Sequence, residues 1–219
     1  MQDWYPLWLS LRVATTATLI AASLGVGFAY LLAKGRFRGR GLLEAVVTLP
    51  IVLPPTVLGY YLLTTLGVNS PIGRAWEDLT GSPLVFTIPA AVIAASVSAL
   101  PFVVRTARAA LEEVDPRLEA VARIAGHPEW RVAASVTLPA ARRGITAGIA
   151  LGFARALGDF GATVMVAGNI PGRTQTLPIA VFDAVQAGDQ ATARTGSLLL
   201  AGVAVVALLV VTQTASRRA

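Results

Sequence analysis

The sequence predicts an all-α, polytopic membrane protein with about five transmembrane helices and a cytoplasmic loop of two short helices between the third and fourth. Three observations predict it. Apolar residues make up 55% of the chain and charged residues only 14%, well below the roughly one quarter charged in soluble domains. The charges cluster, which leaves uncharged stretches as long as a bilayer requires. No tandem repeat or low-complexity linker divides the chain, so residues 1–219 read as a single domain.

The first apolar stretch covers residues 7–32 and is followed, not preceded, by Lys34, Arg36, Arg38 and Arg40. A secretory signal has the reverse order, so this is a retained span. The second, residues 42–66, contains Pro50, Pro54 and Pro55. Proline removes a backbone donor and clashes with the preceding turn. Broken backbone is tolerated in lipid only where protein or a water-filled cavity covers it, so these prolines place the span toward the bundle interior. The third stretch, residues 84–104, carries Pro101, and the fourth and fifth cover residues 145–167 and 196–214.

Loop charge gives orientation. The segments after the first and third stretches, with the tail after the fifth, hold Lys34, Arg36, Arg38, Arg40, Arg105, Arg108, Arg117, Arg123, Arg131, Arg142, Arg143, Arg217 and Arg218. The opposite loops hold Arg74, Arg173 and Arg194. Positive loops stay inside, so the N-terminus is expected outside and the C-terminus in the cytoplasm. The same flanking pattern, with no single basic face, argues against a nucleic-acid partner.

Several chemistries are excluded. The chain has no cysteine, His127 is its only histidine, and its only lysine, Lys34, precedes Gly35. A P-loop needs Ser or Thr after its lysine, so nucleotide chemistry must come from a partner. No metal or other cofactor is expected in this chain.

The longest inside loop, residues 106–143, is too polar to span. Asp115–Pro116 reads as a helix start, with aspartate as cap and proline at the first helical position. A short amphipathic helix follows, with Leu118, Val121 and Ala125 on one side and Arg117, Glu119 and Arg123 elsewhere. Gly126 ends it. His127–Pro128 begins a second helix carrying Trp130, Val132 and Val136, which Leu138–Pro139 is expected to stop.

The stretch 119–139 resembles the EAA loop of ABC importer permeases: Glu-Ala-Ala, three residues, Gly, nine residues, an aliphatic residue, one more, then Leu-Pro. Gly126, Val136, Leu138 and Pro139 fall on that spacing. The front end departs from it: Ala120 stands in the usual glutamate position, Glu119 is one place early, and Val121 replaces an alanine. Residues 49–63 and 155–182 resemble the second span, and the fourth span with its following outer loop, of molybdate permeases. The Asn-Ile-Pro-Gly element with Thr174, Thr176 and Pro178 is characteristic of that branch.

The resemblance implies a permease subunit of an ATP-driven molybdate importer in the cell inner membrane. It implies a second copy of the chain, two cytoplasmic ABC ATPase subunits that bind the ATP and magnesium, and an extracytoplasmic molybdate-binding protein. It also implies that Glu119, Ala122, Gly126, Trp130, Val136, Leu138 and Pro139 form the element that couples to the ATPase. Trp130 fits an interfacial anchor as well as a partner contact. Tungstate or sulfate transport by the same machine is the alternative. An ion-coupled secondary transporter would usually have more spans and an internal repeat.

Candidate path residues are Pro54, Pro55, Thr56, Arg155, Asp159, Thr163 and Asn169. Arg155 and Asp159, four apart on one span, share a helix face. They read either as a self-neutralising structural pair or as a source of positive potential for a passing oxyanion. Thr56, Thr163 and Asn169 offer neutral donors to a path or to their own backbone. Gly148 and Gly152 form a GxxxG spacing that permits close helix approach, a dimer contact included.

Overall fold

The computed structural model describes residues 4–216, with side chains to residue 209. Arg217 and Arg218, part of the inside charge, lie outside the described residues. All regular structure among the described residues is helical. In order, the chain forms α1 (Tyr5–Lys34), α2 (Arg40–Val52), α3 (Pro55–Leu66), α4 (Pro71–Thr80), α5 (Ile88–Glu112), α6 (Pro116–Ile124) and α7 (Glu129–Val132). A π turn follows (Ala133–Thr137), then α8 (Leu138–Ala140), α9 (Arg142–Leu157), α10 (Gly161–Ala167), α11 (Leu177–Gln186) and α12 (Gln190–Ser216).

Three helices, α1, α5 and α12, are long and apolar enough to cross a membrane. The pairs α2–α3 and α9–α10 qualify only jointly, each bent, by 117° and 58°. The bend after α2 follows from Pro54 and Pro55, since neither can donate to the preceding turn. The bend after α9 was not expected. Gly158 ends the helix there, and Asp159 and Phe160 lie between the two halves.

The centre is α1, α5 and α9, packed through small residues. Ala14, Ala17 and Ala21 of α1 and Ala91, Ala95 and Ala99 of α5 belong to one buried cluster. A Cβ on Gly152 would stand 2.8 Å from Val103 Cγ2, and one on Gly148 would stand 3.1 Å from Thr106 Cβ. The GxxxG stripe therefore seats α9 on α5 of the same chain. Small residues let backbones approach where lipid supplies no hydrophobic drive between helices.

Two long-range hydrogen bonds order one end of the bundle. The Tyr5 hydroxyl donates to the Arg173 carbonyl (3.0 Å), and the Leu177 N–H donates to Ser10 Oγ (2.7 Å). The start of α1 thus lies with the loop that precedes α11. Its other end, at Lys34, reaches α6, so the basic end of the bundle also holds the 106–143 segment.

That segment differs from expectation in two ways. Helix α5 continues to Glu112, past the predicted edge at 104, because nothing between Arg105 and Glu112 breaks a helix. Leu138–Pro139 does not stop the second short helix. Backbone conformation stays helical from Glu129 through the π turn and α8, and Ala141 leads directly into α9. The missing N–H of Pro139 is accommodated because Pro139 lies in the first turn of α8, just after the widened π turn.

Candidate coupling surface and translocation path

Local chemistry shapes α6 much as its sequence implies. The Asp115 carboxylate accepts from the Arg117 N–H (2.9 Å). At the other end the Gly126 N–H donates to the Arg123 carbonyl and the His127 N–H to the Ala122 carbonyl, at 3.0 and 3.1 Å. This paired closure needs a left-handed residue at the turn, and Gly126 has φ +82°.

The orientation of α6 is decided by a buried acid. Glu119 is 5% exposed and Ala122 is buried beside it. The Lys34 ammonium lies 2.8 Å from Glu119 Oε1, and the Thr137 hydroxyl donates to the same oxygen at 2.9 Å. Arg123 approaches Oε2 at 3.5 Å. Burial, the largest influence, would by itself raise the pKa of Glu119. Hydrogen bonds from Lys34 and Thr137, with the charges of Lys34 and Arg123, together outweigh it and hold the carboxyl below its ordinary value.

With its acid inward, α6 presents its apolar side outward. Leu118 and Val121 are exposed, and Ile124 is 87% exposed. Trp130 on α7 is 67% exposed, with the Arg131 guanidinium 5.2 Å from its ring centroid. Arg123 braces α6 to α7 through two hydrogen bonds to Glu129, at 2.6 and 3.1 Å. Val136 and Leu138 are half-buried and Pro139 is exposed. Exposed apolar residues interspersed with arginines, on a braced helix pair outside the spans, have the composition of a protein docking surface.

The two helix bends meet each other. A Cβ on Gly161 would fall 2.7 Å from Pro55 Cβ, and one on Gly59 2.7 Å from Met165 Cβ. The start of α3, with exposed Pro54, Pro55 and Thr56, therefore abuts the start of α10. At the break before α10 sits Asp159, 3% exposed. It pairs with Arg155 Nη1 (2.9 Å) and accepts from the Ser98 hydroxyl (3.0 Å) and from the Thr163 N–H and hydroxyl (3.0 and 2.6 Å). The Arg155–Asp159 pair thus spans a helix break and does not lie along one continuous helix. Thr163 is buried with its hydroxyl on Asp159.

Asn169 lies apart from this crossing, beyond the end of α10. Its amide donates to both carboxylate oxygens of Asp183 (2.8 and 2.7 Å), and Gln175 donates to Asn169 and Asp183. Thr174 Oγ1 accepts from the Ile170 N–H, while the Thr176 hydroxyl is buried without a partner. Sequence reasoning missed the partners Lys34, Thr137, Ser98, Gln175 and Asp183. Two carry a readable signal: Lys34 is a lone lysine among arginines, and Asp183 is a lone acid within an apolar stretch.

Residues 25–218 match the family described as binding-protein-dependent transport system inner membrane component. The chain belongs to that family. Among relatives of this transport family, the molybdenum transport system permease protein ModB of Escherichia coli K12 is 42% identical over 210 residues, covering 95% of this chain and 91% of that one. The sulfate transport system permease protein CysW of Synechocystis is 36% identical over 204 residues, covering 91% of this chain and 74% of that one. In fold, the chain resembles a chain of a bacterial alginate ABC transporter solved with a periplasmic protein bound to an alginate pentasaccharide. That likeness has a TM-score of 0.78 at 16% identity and covers 99% of this chain and 79% of the other.

Proposed function

We propose that this chain is the permease subunit of an ATP-driven importer that carries molybdate, and tungstate with it, across the cell membrane. The observation that carries the reading is 42% identity to a molybdenum permease along 95% of the chain. The braced apolar surface of α6 and α7 supports it, because an importer subunit with no P-loop of its own must receive work from an ATPase. Two copies would enclose one path, two ATPase subunits would dock on the α6–α7 surfaces and hold ATP and magnesium, and a binding protein would deliver the anion at the opposite end. The subunit itself would perform no bond chemistry. The N-terminus would lie outside and the C-terminus in the cytoplasm.

Energetics favours a powered device. Molybdate carries two negative charges, and moving each inward against ~100 mV, inside negative, costs about 2.3 kcal/mol. The crossing of α3 with α10 supports a path there, since unwound backbone at a span break supplies donors that a continuous helix does not. Its neutral donors would not distinguish two oxyanions of similar size, so selection would rest mainly with the binding protein. The test is ATP hydrolysis by the reconstituted complex with binding protein. Molybdate should stimulate it and sulfate should not. Stimulation by sulfate alone would move the chain to the sulfate branch.

A further inference from the structure

Resting on that reading of the α6–α7 surface, we propose that the Lys34–Glu119–Thr137 cluster, with its carboxylate buried, is the link that delivers movement of α6 to the end of α1 and to the π turn leading into α9. Lys34 and Glu119 act here as positioning residues for coupling.

The geometry points to this role in three ways. First, α6 has little other attachment. Its close packing is with α7 and the π turn, its neighbours in the chain, and its apolar residues Leu118, Val121 and Ile124 face outward. A helix held by apolar packing can slide, whereas one held by a charged peg moves its partner with it. Second, one carboxylate oxygen takes both bonds, from Lys34 Nζ at 2.8 Å and Thr137 Oγ1 at 2.9 Å. These donors belong to different parts of the bundle: Lys34 is the last residue of α1, and Thr137 the last of the π turn that continues through α8 toward α9. Third, the cluster is enclosed. Glu119 is 5% exposed and Thr137 is 0% exposed, so water has little access to the shared oxygen, although the Lys34 side chain is itself partly exposed. Of the other ionic contacts at this end, those of Arg108 with Glu44 and Glu112 join α2 to α5 without touching α6, and the exposed Arg123–Glu129 pair joins α6 only to its neighbour α7.

Burial of an acid on a docking helix is not needed to hold apolar residues outward; an alanine or leucine would pack there. A charged peg is directional and transmits displacement through a fixed bond geometry. The helices α1 and α9 both pack on α5, so the cluster addresses two of the three central helices from one point on α6.

The experiment uses the complete complex with its ATPase and molybdate-loaded binding protein, reconstituted in vesicles. It reads molybdate imported per ATP hydrolysed, and, separately, thermal stability and retention of the ATPase on purification. Lys34→Met removes the close cation and leaves the buried Glu119 charge with only the longer Arg123 contact (3.5 Å) and the Thr137 hydroxyl. The double variant Lys34→Met with Glu119→Gln removes that charge and keeps a side chain able to bond Thr137. The single variant should lose both stability and coupling. The double variant should recover stability while molybdate moved per ATP stays down by about tenfold, a typical size for a coupling free energy.

If stability and coupling recover together in the double variant, the cluster is structural only and the proposal is overturned. It is overturned equally if Lys34→Met imports at the wild-type ratio, or if the double variant fails to hold the ATPase. Ile124→Asp, on the exposed face, tests the underlying reading separately. It should release the ATPase; unchanged retention would remove the docking surface while leaving the stability behaviour of Lys34 and Glu119 as measured.

Discussion

Gly126 and Asp159 show how single residues fix this chain. At Gly126 a Cβ would meet nothing within 4 Å, yet φ is +82°. The constraint is therefore backbone conformation alone, which disfavours an L side chain by about 1–2 kcal/mol and a β-branched one by more. Gly126→Val should weaken ATPase retention and molybdate uptake while membrane insertion stays normal; Gly126→Asn should be milder. Uptake assays beside a membrane-fraction blot check both. Asp159 satisfies Arg155, Ser98 and Thr163 at once. Asp159→Ala leaves the Ser98 and Thr163 donors unpaired beside a partly exposed Arg155 and should destabilise the subunit by about 1–3 kcal/mol, read as a lowered unfolding temperature in detergent. Glu119 adds a pH dependence. Its pKa is lowered by folding, so its contribution is complete above the ordinary carboxylate value of about 4.3 and is lost as pH falls through the lowered one. Proteolysis of the 106–143 segment should stay slow from neutral pH down into the acid range and accelerate only below it. Glu119→Gln should remove that acid step.

Among the elements, packing on small residues decides which helices touch. Gly152 meets Val103 and Gly148 meets Thr106, so α9 and α5 approach at van der Waals contact. Gly152→Ile should force them apart and reduce the folded subunit recovered from membranes, whereas Gly202→Ile on α12, where a Cβ meets nothing within 4 Å, should not. Equal recovery of the two variants would refute the α5–α9 contact. The GxxxG spacing was legible in the sequence, but its partner was not, because spacing records that a close approach exists and not with whom. The same holds for the span breaks. Pro54 and Pro55 announce one, since two adjacent residues lack the N–H a helix needs, whereas the single Pro50 and Pro101 lie inside α2 and α5. At the break after Gly158, Asp159 bonds Thr163 locally at the start of α10 but also meets Ser98, 61 residues away, and no local rule encodes that second meeting.

At the scale of the whole molecule, most of the loop basic residues gather at one end of the bundle and the Tyr5, Arg173 and Leu177 contacts close the other. The chain contains no cysteine, so single cysteines report without background. Cysteines at Ser70 and Gly188 should label from outside intact cells, and cysteines at Gly39 and Ala134 only after permeabilisation. The reverse pattern would invert the membrane orientation and move the α6–α7 surface away from any cytoplasmic ATPase.

The sequence by itself determined the helical class, the apolar stretches, the clustering of positive charge and the punctuation of the 106–143 segment by Asp115, Pro116 and Gly126. Each follows from a local property: transfer of a stretch into lipid, the charge of a flank, or the dihedral and hydrogen-bond needs of a helix end. Only the tertiary structure decided that Glu119 faces Lys34, that the apolar side of α6 faces outward, that Asn169 belongs to Asp183, and that α9 seats on α5. In lipid both the protein interior and the surroundings are apolar, so hydrophobic periodicity does not tell a helix which face to bury. The choice falls to shape fit between small residues and to the few buried polar groups that must find partners, and those partners come from distant parts of the chain.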